Sequence, residues 1–320
     1  MKPVRIGTRG SQLALWQAHA VASVLHARGT ATEIVTIKTA GDRLQEAPLS
    51  EVGGKRLFVK EIEDALMRRE IDLAVHSAKD LPAVLPDGLT IAAVLPREDP
   101  RDALVLPSGS SVRDIESAIA ALGEAPTVGT SSVRRAAQLA AVLPRATFAP
   151  IRGNVDTRLR KLDAGGFAAL VLAAAGMRRL GFSERISAAI PISHCIPAPG
   201  QGIVAIEIRS DGEETRSALE GITDRSAAAS LTAERSVVAA LGGGCQLPLG
   251  AVSIHEDGQL VLHGIVCSLD GRRSVRREVT GTVSDPDSVG RRMADELSRG
   301  GASAILDEVR RAQGPVEGSY

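Results

Sequence analysis

Aromatic residues are scarce in this sequence: one Trp, one Tyr and four Phe, or 2% of its 320 positions. Proteins that hold single-stranded nucleic acid stack bases on aromatic side chains, so this composition argues against that class. Lysine and arginine together number 38, as do aspartate and glutamate, and the formal net charge is zero. That balance predicts affinity neither for nucleic acid nor for a membrane surface.

Cysteine is also rare, with only Cys195, Cys245 and Cys267. Because these three are odd in number and widely spaced, they do not form a disulfide framework. No apolar run reaches the length that spans a bilayer, and the first residues lack the layout of a signal peptide. We therefore expect a cytoplasmic protein with reduced thiols and no membrane partner.

Several familiar motifs are missing. The chain contains no GxxxxGK[ST] phosphate loop and no GxGxxG dinucleotide fingerprint after a strand. His194 and Cys195 are adjacent rather than at metal-ligand spacing, and Cys245 has no CxxC companion, so no metal site is predicted. We expect His76, His194 and His263 to be structural histidines.

Strand and helix patterns alternate over most of the chain, which is typical of wound α/β sheets. Strands are predicted at 4–7, 34–38, 71–76, 89–95, 103–106, 127–129, 146–151, 168–174 and 203–208. Helices are predicted after Ser11 and across 56–69, 112–122, 131–143 and 154–163. The first helix has apolar residues at helical spacing (Leu13, Trp16, Ala20, Val21 and Val24), and the second places Leu57, Ile62 and Leu66 inward.

Two proline-containing segments, 96–102 and 196–200, resemble linkers between domains. The strand at 203–208 has no following α/β set, so we expect the chain to return to the first domain there. After about residue 223 the pattern becomes a long helix at 225–241, three strands at 249–254, 259–266 and 275–281, and helices from 289 and 302. The predicted fold class is α/β: two wound domains resembling periplasmic-binding-protein halves, plus a smaller α+β domain with a three-stranded antiparallel sheet. The predicted domains are 1–98 with 199–219, then 103–195, then 222–320.

Three successive glycines precede the thiol of Cys245 in the segment LGGGCQLPLG, residues 241–250. So bare a backbone loses much conformational entropy on folding, and it often marks a place where something bulky comes close. The alternative is a glycine turn beside a buried, inert cysteine. Spacing alone leaves both interpretations open.

Polar groups follow the strand at 71–76, in the segment His76-Ser77-Ala78-Lys79-Asp80. Ligands of open α/β sheets bind at the carboxyl ends of strands, which favours a site here. The same segment also fits a helix N-terminus capped by Asp80, with Pro82 in its first turn. Both interpretations fit the segment alone.

Basic residues dominate from Val128 to Lys161, where seven lysines and arginines accompany one acid, Asp156. A charged run of this kind is often only a solvated face. Here, however, the turn 129–132 joins a strand to a helix, and its N–H groups and hydroxyls suit an anion. The turns 151–154 and 7–11 repeat this combination of glycine, a polar side chain and arginine. Together they predict several carboxylates or phosphates held in one cleft.

Nine segments in order resemble the porphobilinogen deaminase (hydroxymethylbilane synthase) family. They are GTRGSQLALWQ (7–17), VGGKRLFVKE (52–61), DLAVHSAKDLP (72–82), REDPRDAL (97–104), VGTSSVRRAAQL (128–139), IRGNVDTRL (151–159), LAAAGMRRLG (172–181), APGQG (198–202) and ERSVVAALGGGCQLPLG (234–250). The resemblance implies an enzyme of tetrapyrrole biosynthesis that condenses four porphobilinogen molecules, with loss of ammonia, and releases linear hydroxymethylbilane. It also implies a monomeric transferase whose partner is this small-molecule substrate.

The resemblance further implies that Cys245 carries a dipyrromethane cofactor through a thioether, which accounts for the bare glycines beside it. Asp80 is expected to be the catalytic carboxylate, hydrogen-bonding pyrrole nitrogens and stabilising positive charge as ammonia leaves. The remaining expected site residues fall into three groups. Lys79, Ser132, Arg134 and Arg135 are expected to bind the cofactor; Arg9, Ser11, Arg152, Arg158 and Arg179 the substrate or growing chain; and Lys55 and Phe58 belong to the expected mobile loop.

Two other classes fit parts of the sequence. A two-domain anion receptor also has two wound α/β domains joined by double crossovers. Such a receptor needs neither a thiol preceded by three glycines nor an acid beside Lys79. A hydrolase with a cysteine nucleophile needs a histidine within reach of Cys245, which no neighbouring residue supplies.

Overall fold

The computed structural model describes residues 2–39, 59–242 and 247–313. The strands, in chain order, are β1 Val4–Thr8, β2 Thr32–Thr36, β3 Leu73–Ser77, β4 Leu89–Val94, β5 Asp102–Val105, β6 Thr127–Gly129, β7 Thr147–Ala149, β8 Ala169–Ala173, β9 Ala188–Ala189, β10 Val204–Arg209, β11 Leu249–Glu256, β12 Gln259–Cys267 and β13 Ser274–Thr282. The α-helices are α1 Gln12–His26, α2 Lys60–Met67, α3 Ile115–Ala120, α4 Val133–Val142, α5 Val155–Lys161, α6 Ala174–Arg179, α7 Glu213–Ala218, α8 Arg225–Ala240, α9 Pro286–Arg299 and α10 Ala302–Gln313.

Two five-stranded sheets share one arrangement. Their strand orders are β2-β1-β3-β10-β4 and β7-β6-β8-β5-β9. In each sheet three strands pair in parallel, and the fourth strand, β10 or β5, runs antiparallel to its neighbours. Both antiparallel strands follow a crossover between the sheets, so each sheet is completed by a strand that arrives from the other.

The predicted α/β class is confirmed by these sheets, and β10 joins the first sheet as the strand pattern at 203–208 predicted. Element boundaries shift by a few residues. The helix predicted at 112–122 covers only Ile115–Ala120, and the linker predicted to extend to 102 ends earlier, because Asp102 begins β5. The domain boundaries themselves stay a prediction.

The first helix packs on a face that overlaps only in part with the predicted one: Val21 is buried, and Ala20 and Val24 are partly buried against the same core. Its buried residues are Gln17, Ala18, Val21, Ala22 and Leu25, whereas Trp16 is 40% exposed. Leucine, valine and alanine occur on several sides of α1, so composition alone did not single out its buried stripe. Its predicted N-cap is confirmed, since Ser11 Oγ accepts from the backbone N–H of Ala14. In α2, Ile62 and Leu66 are buried as predicted, and Leu57 lies outside the described residues.

A three-stranded antiparallel sheet, β11-β12-β13, forms the third unit, as predicted. One face packs against α8, α9 and α10 around Leu260, Met293 and Leu297. The other face contributes Val252 and Ile265 to a cluster with residues of α4 and the segment that follows β9. The third sheet is thereby packed against the second α/β unit. In the described part of the chain, no helix is both long and apolar enough to cross a membrane.

Candidate active site

Two crossover segments lie side by side between the α/β units. The backbone N–H of Glu98 donates to the carbonyl of Gly202 at 3.1 Å, and that of Leu95 donates to Val204 at the same distance. Gly202 has φ +90°, and a Cβ there would overlap the carbonyl oxygen of Glu98. A glycine is therefore required for the segments to approach this closely, and they bring the strand ends of both sheets together.

Asp80 lies directly after β3, in a single 3-10 turn formed by Ala78–Asp80. Leu81 then adopts an extended backbone, with φ −70° and ψ 146°, so no helix begins at this point. The interpretation of Asp80 as a helix cap is therefore wrong. The carboxylate instead sits, half-buried, at the carboxyl end of a central strand, where sheets of this kind place their ligands.

Lys79, next to Asp80, is connected to the second sheet through a glutamine. Lys79 Nζ donates to Gln201 Oε1 at 3.2 Å, and Gln201 Nε2 donates to Asp102 Oδ1 at 2.8 Å. Gln201 lies in the second crossover and is 1% exposed. The two halves of the predicted site are therefore joined by hydrogen bonds through one buried amide.

Arg134 and Arg135 converge on Asp102, whose side chain is fully buried. Arg134 Nη1 lies 2.8 Å from Oδ2, and Arg135 Nη2 lies 2.8 Å from Oδ1. Burial acts to raise the pKa of Asp102, but the charges of the two guanidinium groups outweigh it and hold that pKa below its ordinary value. Asp102 therefore stays ionised and fixes both arginines.

The two arginines differ in what else they contact. Arg134 Nη1 also donates to the carbonyl of Ile196 at 2.8 Å and lies 3.4 Å from Cys195 Sγ, so it is anchored within the protein. Arg135 Nη1 donates to the carbonyl of Val171 at 3.0 Å. Arg135 is also near enough to Arg158 for its charge to act on the pKa of that residue.

Arg158 shows the electrostatic character of the site. Burial, followed by the charges of Arg135 and Arg152, lowers the pKa of Arg158 to about 10. Its Nε donates to the carbonyl of Gly153 at 2.7 Å, which orients the guanidinium. Arg135 of α4 and Arg152, in the turn after β7, are thus close enough to Arg158 of α5 to repel it. Such a cluster favours a ligand with several negative charges.

The rest of the predicted basic run does not share this environment. Arg145, Arg160 and Lys161 are exposed, and the idea of a solvated face is correct for them. The charged run therefore divides into a surface part and an inward part, which sequence order alone did not separate.

The strand-to-helix turns supply fewer free donors than their sequences predicted. The N–H of Thr130 donates to the carbonyl of Ala149 at 2.9 Å, and that of Ser132 donates to Thr130 Oγ1 at 3.2 Å. Ser132 is the N-cap of α4, with Oγ 3.4 Å from the N–H of Arg135. The expectation that this turn offers its backbone N–H groups to an anion is therefore wrong for Thr130 and Ser132.

The amino-terminal turn lies after β1, at the same edge of the first sheet as Asp80, since β1 and β3 are parallel. Arg9 is half-buried there, and Ser11 is the N-cap of α1. Gln17 of the same helix donates from Nε2 to Ser77 Oγ at 2.8 Å. This contact fastens α1 to the end of the strand that carries Lys79 and Asp80.

Arg179 reaches this region from the end of α6. Its Nη2 donates to the carbonyl of Gly202 at 2.7 Å, and its guanidinium carbon lies 5.3 Å from the ring centroid of Trp16. Burial lowers its pKa, while the charge of Glu98 acts in the opposite direction. Arg179 therefore contacts both the second crossover and α1.

Three predicted residues, Cys245, Lys55 and Phe58, lie outside the described residues. The other two cysteines are buried: burial raises the pKa of Cys195 to about 12 and that of Cys267 to about 11. Neither thiol is a nucleophile at neutral pH, because the thiolate is the reactive form.

Two of the three histidines predicted to be structural lie against glutamate carboxylates. His76 Nε2 lies 3.1 Å from Glu207 Oε2 in the interior, and His263 Nδ1 lies 3.2 Å from Glu278 Oε2. These contacts fit the structural role predicted for the two histidines. Across residues 2–39, 59–242 and 247–313, no three His, Cys, Asp or Glu side chains group closely enough to hold a metal ion.

Sequence reasoning missed three buried polar residues. Asp102 was assigned to the first linker, and Gln201, which directly follows the second, was given no role; each lies in a matched segment, REDPRDAL or APGQG. Glu234, in α8, is 0% exposed and accepts from Arg97, from the N–H of Gly200 at 2.7 Å and from Ser253. For Asp102 and Gln201, the available signal was a polar residue within or directly after a proline-containing segment. A solvated side chain is the usual assumption there.

Chemically, the arrangement combines a half-buried carboxylate, Asp80, at a strand end of the first sheet with a cluster of arginines in the second α/β unit. Asp102 is already engaged by Arg134 and Arg135, and the charges of Arg135 and Arg152, together with burial, still lower the pKa of Arg158. Such a site suits a ligand that carries several carboxylates and on which one positive charge develops during reaction.

Comparison with known proteins gives a consistent result. Residues 4–217 match the family model described as porphobilinogen deaminase, dipyromethane cofactor binding domain, and residues 228–299 match porphobilinogen deaminase, C-terminal domain. The porphobilinogen deaminase of Syntrophobacter fumaroxidans is 44% identical over 97% of this chain and 98% of its own length. That of Acidithiobacillus ferrooxidans is 47% identical over 97% of this chain and 99% of its own length. Among solved structures, the periplasmic VFT2 domain of BvgS from Bordetella pertussis matches with a TM-score of 0.40 and 17% identity, over 70% of this chain and 90% of that domain.

Proposed function

This chain belongs to the porphobilinogen deaminase family, and from that premise we propose how its residues divide the work of a transferase. The reaction condenses four porphobilinogen molecules, with loss of ammonia, and hydrolysis releases linear hydroxymethylbilane. The family's cofactor is dipyrromethane. The roles assigned below to individual residues are our proposal.

The inward-facing arginines fit a cofactor that carries carboxylates. Arg135 and Arg152 lower the pKa of Arg158, and an anionic group among them relieves that repulsion. We propose that the cofactor is attached to the thiol of Cys245. The residues proposed to bind the cofactor's carboxylates are Lys79, Ser132, Arg134 and Arg135. When bound, dipyrromethane supplies the pyrrole carbon to which the first porphobilinogen is joined.

Within this set we separate anchoring from direct binding. Arg134 is 4% exposed, and its Nη1 contacts Asp102 and the carbonyl of Ile196, so it chiefly fixes the position of Asp102. Arg135 is oriented by Asp102 and by the carbonyl of Val171, and its charge helps to lower the pKa of Arg158. Arg135 is therefore the stronger candidate for a direct contact to carboxylate.

Asp80 is assigned the chemical role. Its place after β3 and beside Lys79 suits a carboxylate that accepts hydrogen bonds from pyrrole N–H groups. As ammonia leaves, positive charge develops on the substrate, and an ionised carboxylate held nearby lowers the energy of that state. A neutral amide at this position supplies no such charge.

Arg9, Ser11, Arg152, Arg158 and Arg179 are assigned to the substrate and the growing chain. Each lies at or after a strand end, and Arg152 and Arg158 belong to the repelling cluster. Each added pyrrole ring brings further carboxylates, so the requirement for cationic side chains grows during elongation. Lys55 and Phe58 remain proposed members of a loop that covers the site.

We also propose that the protein acts as a monomer in the cytoplasm. Each of the three sheets is completed by strands of one chain, so no sheet needs a second copy. Cys195 and Cys267 are unpaired thiols, which suits a reducing compartment. Light scattering of the purified protein tests whether it is a monomer, since a mass of twice 33.3 kDa contradicts that proposal.

The test of the assignment is the intact mass of the purified protein. The mass is expected to exceed that of the sequence by a two-ring pyrrole adduct, which maps to the peptide containing Cys245. Cys245→Ser is expected to lose both the adduct and hydroxymethylbilane formation, while Cys267→Ser keeps both. An active protein with an unmodified thiol at Cys245 would overturn the assignment.

A further inference from the structure

Gln201 contacts both halves of the site through a single buried amide. Its Nε2 donates to Asp102 Oδ1 at 2.8 Å and to the carbonyl of Pro100 at 2.7 Å, and its Oε1 accepts from Lys79 at 3.2 Å. Every hydrogen of the side-chain amide is used, and the residue is 1% exposed.

The contacts also fix which way the amide points. Asp102 Oδ1 and the carbonyl of Pro100 only accept hydrogen bonds, and a lysine ammonium only donates. The nitrogen must therefore face Asp102, and the oxygen must face Lys79. A carboxylate in place of the amide could accept from Lys79 but could not donate to Asp102.

The backbone of Gln201 is held as firmly as its side chain. Its N–H donates to the carbonyl of Ala198 at 3.0 Å, and its carbonyl accepts from Arg97 Nε at 3.0 Å. Arg97 in turn pairs with the buried Glu234 of α8. The amide is thus set in a rigid frame, which a positioning group requires.

We propose that Gln201 is a positioning residue: it holds the ammonium of Lys79 and the Asp102–arginine cluster in one fixed relationship across the two α/β units. This inference rests on the proposed roles of Lys79, Arg134 and Arg135. Gln201 acts through those groups and does not itself contact the reacting atoms. Its neutral amide joins the cation to the buried anion without adding charge between them.

The main test compares Gln201→Met with Gln138→Met. Gln138 is the matched control because it is also a buried glutamine with both ends of its amide bonded, to the N–H and the carbonyl of Ile196, yet both of these bonds are to backbone groups rather than to a charged side chain. Gln201→Met is expected to lower kcat/KM about 10- to 100-fold, the range for a lost hydrogen bond to a charged group, and to lower the fraction of protein that carries the adduct. Gln138→Met is expected to lower Tm but to keep kcat/KM within about twofold of wild type. Equal kinetic effects of the two substitutions would overturn the proposal.

Two further variants separate positioning from simple support. Gln201→Glu keeps the acceptor for Lys79 but loses donation to Asp102, so it is expected to be at least as impaired as Gln201→Met, and wild-type activity there contradicts the proposal. Lys79→Met is expected to act in the same way as Gln201→Met. The double variant is then expected to lose less kcat/KM than the product of the two single losses, because the two substitutions remove the same interaction. Fully multiplicative losses would show that Gln201 does not act through Lys79.

If no Gln201 variant folds, a comparison of Lys79→Met with the wild type still decides the question. Hydrogen exchange of ¹⁵N-labelled glutamine side chains is expected to show protected NH₂ pairs, one of which shifts in Lys79→Met. If no protected pair shifts, the proposed connection is absent. Loss of adduct and product in the wild type itself would instead refute the assigned function, so the two failures are distinguishable.

Discussion

The guanidinium of Arg179 lies over the ring of Trp16, 5.3 Å from its centroid, and joins the end of α6 to α1. Trp16 is 40% exposed, whereas Val21, Ala22 and Leu25 of the same helix are buried in the core of the first sheet. A tryptophan face attracts a guanidinium through the ring quadrupole, so the ring holds Arg179 in the site.

Trp16→Leu is expected to raise KM for porphobilinogen about 2- to 10-fold, the range of a lost cation–π contact, whereas Trp16→Phe keeps a ring and is expected to stay nearer wild type. Because the chain has one tryptophan, its fluorescence reports on this contact directly. We expect emission to change when porphobilinogen is added to the wild type and to stay constant in Arg179→Leu. An identical response in both proteins would remove Arg179 from substrate binding.

Asp80→Asn is expected to keep the fold and lower kcat about 100-fold or more, since the amide carries no charge to offset the developing cation. Asp87→Asn, an exposed position in the loop that follows, is the control and is expected to keep wild-type turnover. Single-turnover release of ammonia measures the step. Turnover within about threefold of wild type in Asp80→Asn would remove Asp80 from the mechanism.

Arg135→Leu is expected to reduce the amount of bound cofactor, because Arg135 belongs with Arg152 and Arg158 to the basic cluster that the cofactor's carboxylates would neutralise. Arg152→Leu is expected to retain the cofactor and accumulate an intermediate with fewer rings. Arg160→Leu is the control, since Arg160 is exposed two residues from Arg158. Mass spectrometry of the protein–pyrrole complexes checks each outcome, and the wild-type distribution in all three variants would show that the arginines serve only as surface charge.

Asp102→Asn is expected to destabilise the protein by about 3–5 kcal/mol, because it leaves Arg134 and Arg135 buried without their anion. The native pKa of Asp102 lies below its ordinary value of 3.8, so its stabilisation is complete above that value and is lost as the pH falls below it. Urea unfolding at pH 7 and at pH 3 is expected to show a smaller gap between wild type and variant at the lower pH. Glu308→Gln, which breaks the exposed pair with Arg273, is expected to leave Tm unchanged. A gap that is equally large at both pH values contradicts this account of Asp102.

Thiol labelling is expected to distinguish the three cysteines at pH 7. Cys195 and Cys267 stay protonated in the native protein, with pKa values of about 12 and about 11, and both are buried. Apoprotein is expected to be labelled at Cys245 alone, because cofactor attachment requires that thiol to react, and holoprotein is expected to remain unlabelled until it is denatured. Labelling of Cys195 in native holoprotein would contradict the burial described for it.

Local patterns in the chain predicted much of this fold. β-Branched runs and helical spacing depend only on near neighbours, and they located most strands and helices to within a few residues. The same patterns did not identify the buried face of α1, because apolar residues lie on several of its sides and its partners come from distant segments. The helix cap considered at Asp80 failed for a related reason: a strand followed by proline is compatible with both a helix and an open turn.

The candidate residues were also predictable in kind, since strand ends, glycines and arginines recur together in the sequence. Which of these residues pair with one another, and which are left to bind a ligand, was not predictable from the sequence. Asp102 meets Arg134 across 32 positions and Gln201 across 99, and no local rule links residues so far apart. Asp102 itself lies in a segment whose prolines and charges favoured a solvated linker.

By itself, the sequence determined the chemistry available to this protein: one glycine-flanked thiol, an acid after a strand, and an excess of arginines at strand ends. Only the tertiary structure decided which charges are neutralised and which remain for a ligand. The reason is that burial and long-range pairing set the electrostatic balance, and two crossings of the chain between the sheets bring those groups together.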